Sequence, residues 1–175
     1  MAKLRGNIEM LNSRVIDLVE KCAQESNNPN PYCTSTWRSP YNQARVMAEN
    51  LYNGKNINYK WAGQQVINVW EEYCFLESKS QVITRMEAKI IELSENGVRV
   101  SNHCVSKEQY DLVNIFDIAP STLPNPRDLV KHLEQCEECI RIITPYKSDY
   151  QTNKVIVDIK EPAIHCEIST ISKEV

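Results

Sequence analysis

Ile8, Leu11, Val15, Leu18, Val19 and Cys22 recur every three or four positions. That spacing predicts a helix over about residues 7–25 with one apolar face. It gives way to the polar, Pro-containing stretch 25–31, a loop by composition. Residues 32–37 are rich in aromatic and β-branched side chains and predict a short strand. Ser39-Pro40 has the form of a helix start, because Ser caps free amides and Pro fits the first turn. The helix it opens carries Ala44, Met47, Ala48 and Leu51 on one face and stops at Asn53-Gly54. Two more helices are predicted over 62–75, with Val66, Val69, Trp70 and Tyr73 inward, and over 80–94, closed by Asn96-Gly97. Val98-Arg99-Val100 alternates like a strand, and 112–118 reads as another. Asn125-Pro126 opens a helix through Leu129, Val130, Leu133, Cys136 and Ile140. Strand-like runs follow at 141–144, 154–159 and 163–169.

Helices come early and strands cluster late, with no regular βαβ alternation. This predicts an α+β fold in which helices pack on a small antiparallel sheet. With 175 residues and no credible linker, a single domain over 1–175 is expected. An N-terminal helix and loop (1–30) would lead into the core (31–170). A net charge of −3 offers no basic surface for nucleic acid or an anionic membrane. No apolar run approaches the ~20 residues of a membrane span. The N-terminus lacks the apolar core of a signal peptide, so a cytoplasmic location is expected. Seven cysteines without an export signal then read as free thiols in a reducing compartment. The oligomeric state has no sequence signal, though the amphipathic N-terminal helix could pair.

Three separated stretches carry groups that metal-assisted hydrolysis needs. They are Thr36-Trp37-Arg38-Ser39-Pro40 with Gln43, Ser101-Asn102-His103 leading to Phe116-Asp117-Ile118, and Pro162-Ala163-Ile164-His165-Cys166-Glu167. A hydrolytic zinc usually keeps three protein ligands and one open position, and imidazole and carboxylate suit it. His103, Asp117 and His165 are the candidate metal ligands. Arg38 is the candidate fixed cation for a substrate oxygen.

These stretches resemble the LAS-type zinc peptidases, the D-alanyl-D-alanine carboxypeptidases and related phage endolysins. In that family a strand ends in a Gly-Tyr-Arg-Ser-Pro-like element with Gln five residues after the Arg. Trp37-Arg38-Ser39-Pro40 with Gln43 is similar. A Ser-x-His…Asp-Ile/Leu element follows, resembled by Ser101-Asn102-His103 and Asp117-Ile118. The last ligand is a strand His, as in Ile164-His165-Cys166. The resemblance implies a Hedgehog/D-Ala-D-Ala-peptidase-like fold with zinc on His103, Asp117 and His165. It further implies Arg38, Gln43 and Ser101 at the substrate and Glu161 as the catalytic general base and acid. The substrate would be a D-Ala-containing dipeptide or a peptidoglycan stem peptide. The protein would then be a cytoplasmic dipeptidase, or a phage lysin released by a partner. Two departures stand out. His103 and Asp117 are fourteen residues apart, where the family has seven. An inserted turn and a half of helix is predicted there, opened by the capping-box form Ser106-Lys107-Glu108-Gln109. The family's carboxylate position, three before the last His, is Pro162, with Glu161 beside it.

Other readings remain open on the same residues. The fold and metal could persist without catalysis, in a module that binds a small molecule or a protein. A metal-free interaction domain is a third. Cys104 and Cys166 each follow a proposed ligand, so in a strand they should face away from it; alternatively these thiolates are the ligands. His132, Cys136 and Cys139 share one face of a continuous helix and form a second metal candidate. Glu134, Glu137 and Glu138 beside them read as a solvated acidic face.

Overall fold

Asn12 sets where the first helix begins. Its side chain accepts the Arg14 backbone N–H, and its own N–H donates to the Asn114 side chain at 2.6 Å. Helix α1 therefore spans Ser13–Glu25 rather than starting near residue 7. Upstream, Arg5–Gly6 forms a two-residue strand, β1, parallel to β2 (Tyr32–Ser35). Gly6 has φ +91°, and a Cβ there would run into the Cys33 carbonyl, so this close approach requires glycine.

The computed structural model describes residues 1–55, 57 and 59–171. They fall into two compact units: residues 1–37 with 107 onward, and residues 38–106. The architecture is α+β.

Among the described residues, the first unit holds all the strands. Helix α5 (Lys107–Leu112) runs directly into β3 (Val113–Ile118). This helix lies in the stretch between His103 and Asp117 where a turn and a half of helix was expected. Its Tyr110 is fully buried, with its ring 6.5 Å from that of Trp37 and tilted by 49°. Strands β4 (Cys139–Thr144), β5 (Val155–Val157) and β6 (Ile164–Ser169) complete a six-stranded sheet in the order β1-β2-β3-β6-β4-β5. The β2–β3, β3–β6 and β6–β4 pairs are antiparallel, as expected; β1–β2 and β4–β5 are parallel. The sheet is thus mixed, not purely antiparallel. Each parallel pair needs a crossover, supplied by the segment containing α1 and by residues 145–154.

Alternation along the strands divides the sheet chemically. Phe116, Ile118, Ile142, Ile164, Cys166 and Ile168 are all almost completely buried. Helix α6 (Pro126–Gln135) adds Leu129, Val130 and Leu133 to the core, and α1 adds Val15, Val19 and Cys22. Full burial of such side chains stabilises by roughly 1.5–3 kcal/mol each. The alternate positions carry Asp117, Arg141, His165 and Glu167 instead.

Helix α6 ends at Gln135, so the predicted continuation through Ile140 is corrected: Cys136 is already extended and Cys139 opens β4. Glu134 is corrected too. It is 1% exposed, and its carboxylate accepts the Gln151 and Thr152 backbone N–H groups and the Thr152 hydroxyl. It anchors the β4–β5 crossover instead of facing solvent.

Among its described residues, the second unit has three helices, α2 (Pro40–Tyr52), α3 (Trp61–Tyr73) and α4 (Lys79–Glu95). Ser39 caps α2 as expected, and Ser78 with Gln81 forms a capping box on α4. Met47, Val66, Val82, Met86 and Ile90 are among the side chains of its core. Val98–Val100 is no strand. Val98 closes the C-terminal end of α4 by donating to the Leu93 carbonyl, and both valines pack on the helical core.

Candidate metal centre

Asp117 and His165 stand directly opposite each other in the β3–β6 ladder. His165 Nδ1 lies 2.9 Å from Asp117 Oδ1. Two residues along β6, Glu167 returns to the His165 face, and its Oε1 is 3.3 Å from Nε2. Glu167 in turn pairs with Arg141, its register partner on β4. Three strands therefore build one continuous chain, Asp117–His165–Glu167–Arg141. Side-chain exposure falls from 35% at Arg141 to 5% at His165.

The buried imidazole sits between two carboxylates. Burial pulls its pKa down, but the hydrogen bonds and charges of Asp117 and Glu167 outweigh that and hold it at about 9. Burial pushes the Glu167 carboxyl up; His165 and Arg141 overcome this and keep it below the usual carboxylate range.

Glu161 precedes β6 in a turn closed by its N–H donating to the Asp158 carbonyl. It is half-buried. Burial and then the Asp117 charge raise its carboxyl pKa, and the His165 charge partly offsets them. Glu161 thus feels both ladder residues without being part of the ladder. A raised carboxyl moves toward the range useful for proton transfer near neutral pH.

In the second unit, the Arg38 backbone N–H donates to the His103 carbonyl at 2.9 Å. Two of the separated stretches singled out in the sequence therefore meet. His103 is 7% exposed, and its N–H donates to Ser101 Oγ at 3.3 Å. Ser101 thereby shapes the turn that carries His103. The Arg38 guanidinium donates to the buried Gln43 side chain at 3.3 Å, so Gln43 steadies Arg38.

Within the first unit, Asp117 and His165 set a carboxylate oxygen and an imidazole nitrogen side by side, two donors of the kind a metal ion takes. Imidazole and carboxylate are both ligand types that zinc accepts. The Asp117–His165 geometry also fits. Donors about 2.0–2.1 Å from a tetrahedral ion sit roughly 3.3 Å apart, so the 2.9 Å pair needs to open by only a few tenths of an ångström.

Both neighbouring cysteines face packing: Cys166 by alternation along β6, and Cys104 from a turn, where strand alternation does not apply. Cys166 lies fully buried, and Cys104 packs on the helical core of the second unit. Burial raises the Cys166 thiol well above its ordinary pKa and pushes Cys104 up to about 11. Cys166 stands on the opposite face of β6 from His165, which argues against it as an alternative ligand. The second metal candidate dissolves. His132 Nδ1 is 3.3 Å from Glu25, Cys136 lies against Cys22, and Cys139 belongs to β4 instead of a shared helix face.

Sequence reasoning missed Glu167 and Arg141 as site residues. The signal was available in part: on a strand, Glu167 must share the face of His165. Arg141 opened a run already read as a strand, but its pairing with Glu167 depends on the β4–β6 register, a long-range contact. No protein-family model, curated protein or solved structure matches this chain.

Proposed function

We propose that this protein is a zinc-dependent peptidase acting on D-Ala-containing dipeptides or peptidoglycan stem peptides, with His103, Asp117 and His165 as the metal ligands. The observation that carries the reading is the Asp117–His165 pair at 2.9 Å, a half-buried carboxylate against a buried imidazole. Two residues chosen as co-ligands from segments far apart in the chain are register partners on rigid strands. Zinc bound there would supply Lewis acidity for attack on an amide carbonyl. Glu161 takes a proton from the attacking water and returns it to the leaving amine. Arg38, steadied by Gln43 and held to the His103 turn, anchors the substrate carbonyl or terminal carboxylate. Glu167 accepts a hydrogen bond from Nε2 of His165 and so directs Nδ1 toward Asp117 and the ion. Such outer carboxylates fix the tautomer and orientation of ligating imidazoles.

The decisive experiment is zinc per chain in the purified protein, beside a His103→Ala/His165→Ala double variant. About one zinc is expected, lost in the variant. No zinc in the native chain, even after adding it back, removes the peptidase reading. With zinc established, hydrolysis of free D-Ala-D-Ala identifies a dipeptidase, and clearing of cell-wall suspensions identifies a lysin.

One observation favours a second reading, a metal-binding module without turnover. Glu161 lies in a turn ahead of Pro162 and outside strand β6, which begins only at Ile164. A protein that holds zinc, hydrolyses neither substrate and keeps its binding function as Glu161→Ala would be this module.

A further inference from the structure

Seven free cysteines are spread over the fold, and two of them touch. Cys22 on α1 and Cys136 at the end of α6 lie with their sulfurs 3.4 Å apart, although 114 residues separate them in the chain. Cys22 is nearly completely buried, whereas Cys136 is half-buried. An open groove of about 530 Å³ reaches both thiols, bordered by Lys21, Glu25, His132 and Gln135. The backbone at Cys136 has just left the helix and is extended. The Lys154 ammonium donates to its carbonyl at 2.8 Å.

We propose that Cys22 and Cys136 are a reversible redox pair, with Cys136 as the sulfur that meets a hydroperoxide and Cys22 as the sulfur that resolves it. The Cys136 thiolate attacks one peroxide oxygen. The O–O bond breaks, hydroxide (or alkoxide) leaves and is protonated, and Cys136 becomes a sulfenic acid. The Cys22 sulfur then attacks Cys136 Sγ, an S–S bond forms, and the hydroxyl departs as water with the Cys22 proton. Two thiols and one hydrogen peroxide give one disulfide and two waters.

The division of roles follows the surroundings. The hydrogen bond between the two sulfurs lowers the Cys136 pKa; burial and Glu138 oppose it, while Lys21 and Lys154 assist. The same hydrogen bond and burial raise the Cys22 thiol, keeping it protonated until its partner has been oxidised. The thiolate is the form that reacts with peroxide. The sulfurs must close by about 1.4 Å to reach the ~2.0 Å disulfide length. Cys136 is the better placed of the two to move, being the residue that caps α6.

The test uses the reduced full-length protein and hydrogen peroxide in modest excess, with thiol counting and mapping of linked peptides. Seven thiols should fall to five, with Cys22 joined to Cys136, and return to seven with a dithiol reductant. Cys22→Ser should stop at a Cys136 sulfenic acid that a 1,3-dione reagent traps. The proposal is overturned if Cys136 remains as open to alkylation after peroxide as before. It is equally overturned if the disulfide joins another pair, or if Cys136 over-oxidises while Cys22 stays free.

Discussion

Replacing Glu167 with alanine tests whether the sheet presents His165 to a metal. Glu167 is 12% exposed at its side chain and meets His165 Nε2 at 3.3 Å. In Glu167→Ala the Nε2 proton loses that acceptor, and the ring is freed to rotate or to exchange tautomers. Loss of an outer carboxylate costs about 10–100-fold in metal affinity, equivalent to roughly 1.4–2.7 kcal/mol. Glu167→Gln keeps an acceptor oxygen but loses the charge, so its affinity should fall between the two. Competition for zinc against a chromophoric chelator measures this directly, with circular dichroism confirming the fold. Asp117→Ala, which removes a proposed ligand, should lose stoichiometric zinc altogether. The reasoning fails if Glu167→Ala binds zinc as tightly as the parent while Asp117→Ala does not bind.

Glu161→Ala should retain zinc and lose about 10²–10⁴-fold in kcat for dipeptide hydrolysis; unchanged turnover would remove Glu161 from the mechanism. Glu134→Ala strands the Gln151 and Thr152 amides that its carboxylate satisfies, and should cost about 1–3 kcal/mol in urea unfolding. A change under a few tenths would mean that water replaces the carboxylate. Burial pushes the thiols of Cys33 and Cys139 up to about 12 from an ordinary value of 9. Their folded pKa values are raised, so the stability they give is complete below pH 9 and is lost as pH rises toward 12. Each ionising thiol contributes a slope of up to about 1.4 kcal/mol per pH unit. Urea unfolding from pH 8 to 11 should therefore show a smaller decline in Cys139→Ala than in the parent, and identical slopes would refute this.

Local signals explain what could be read from the chain alone. Ser39-Pro40, Asn53-Gly54 and Asn96-Gly97 marked helix ends that recur in the structure, because caps depend on a few adjacent residues. Strand β6 and its His165 were legible from alternation. The end of α6 was not. Leu133 and Ile140 are seven apart, a helical interval, and no Gly or Pro stands between them to mark the stop. Pairing of Cys139–Thr144 with β6 and β5 is a long-range contact, and it overrides that local pattern. The parallel pairs escaped for the same reason, since strand direction depends on which partner arrives. Glu134 misled because a run of acids normally faces water; here the β4–β5 crossover folds over it with its own amides. Among the candidate ligands, His165 and Asp117 could be named from type and order. Their 2.9 Å contact depends on the β3–β6 register, which composition does not encode.

The hydrogen bond from Arg38 to His103 also bears on how the chain folds in time. Strands β2 and β3 pair across the whole of residues 38–106, and closing so long a loop by diffusion carries an entropic cost that grows with its length. Helices α2, α3 and α4 need only local contacts and should form early. Once they pack, and Arg38 is tied to the turn at His103, the two ends of the segment are already together. The effective loop between β2 and β3 then shrinks from 77 residues (36–112) to 13 (36–38 and 103–112). The helical insertion would thus act as a folding clamp: the sheet, though it contains the N-terminal strands, should complete only after the middle of the chain has taken shape.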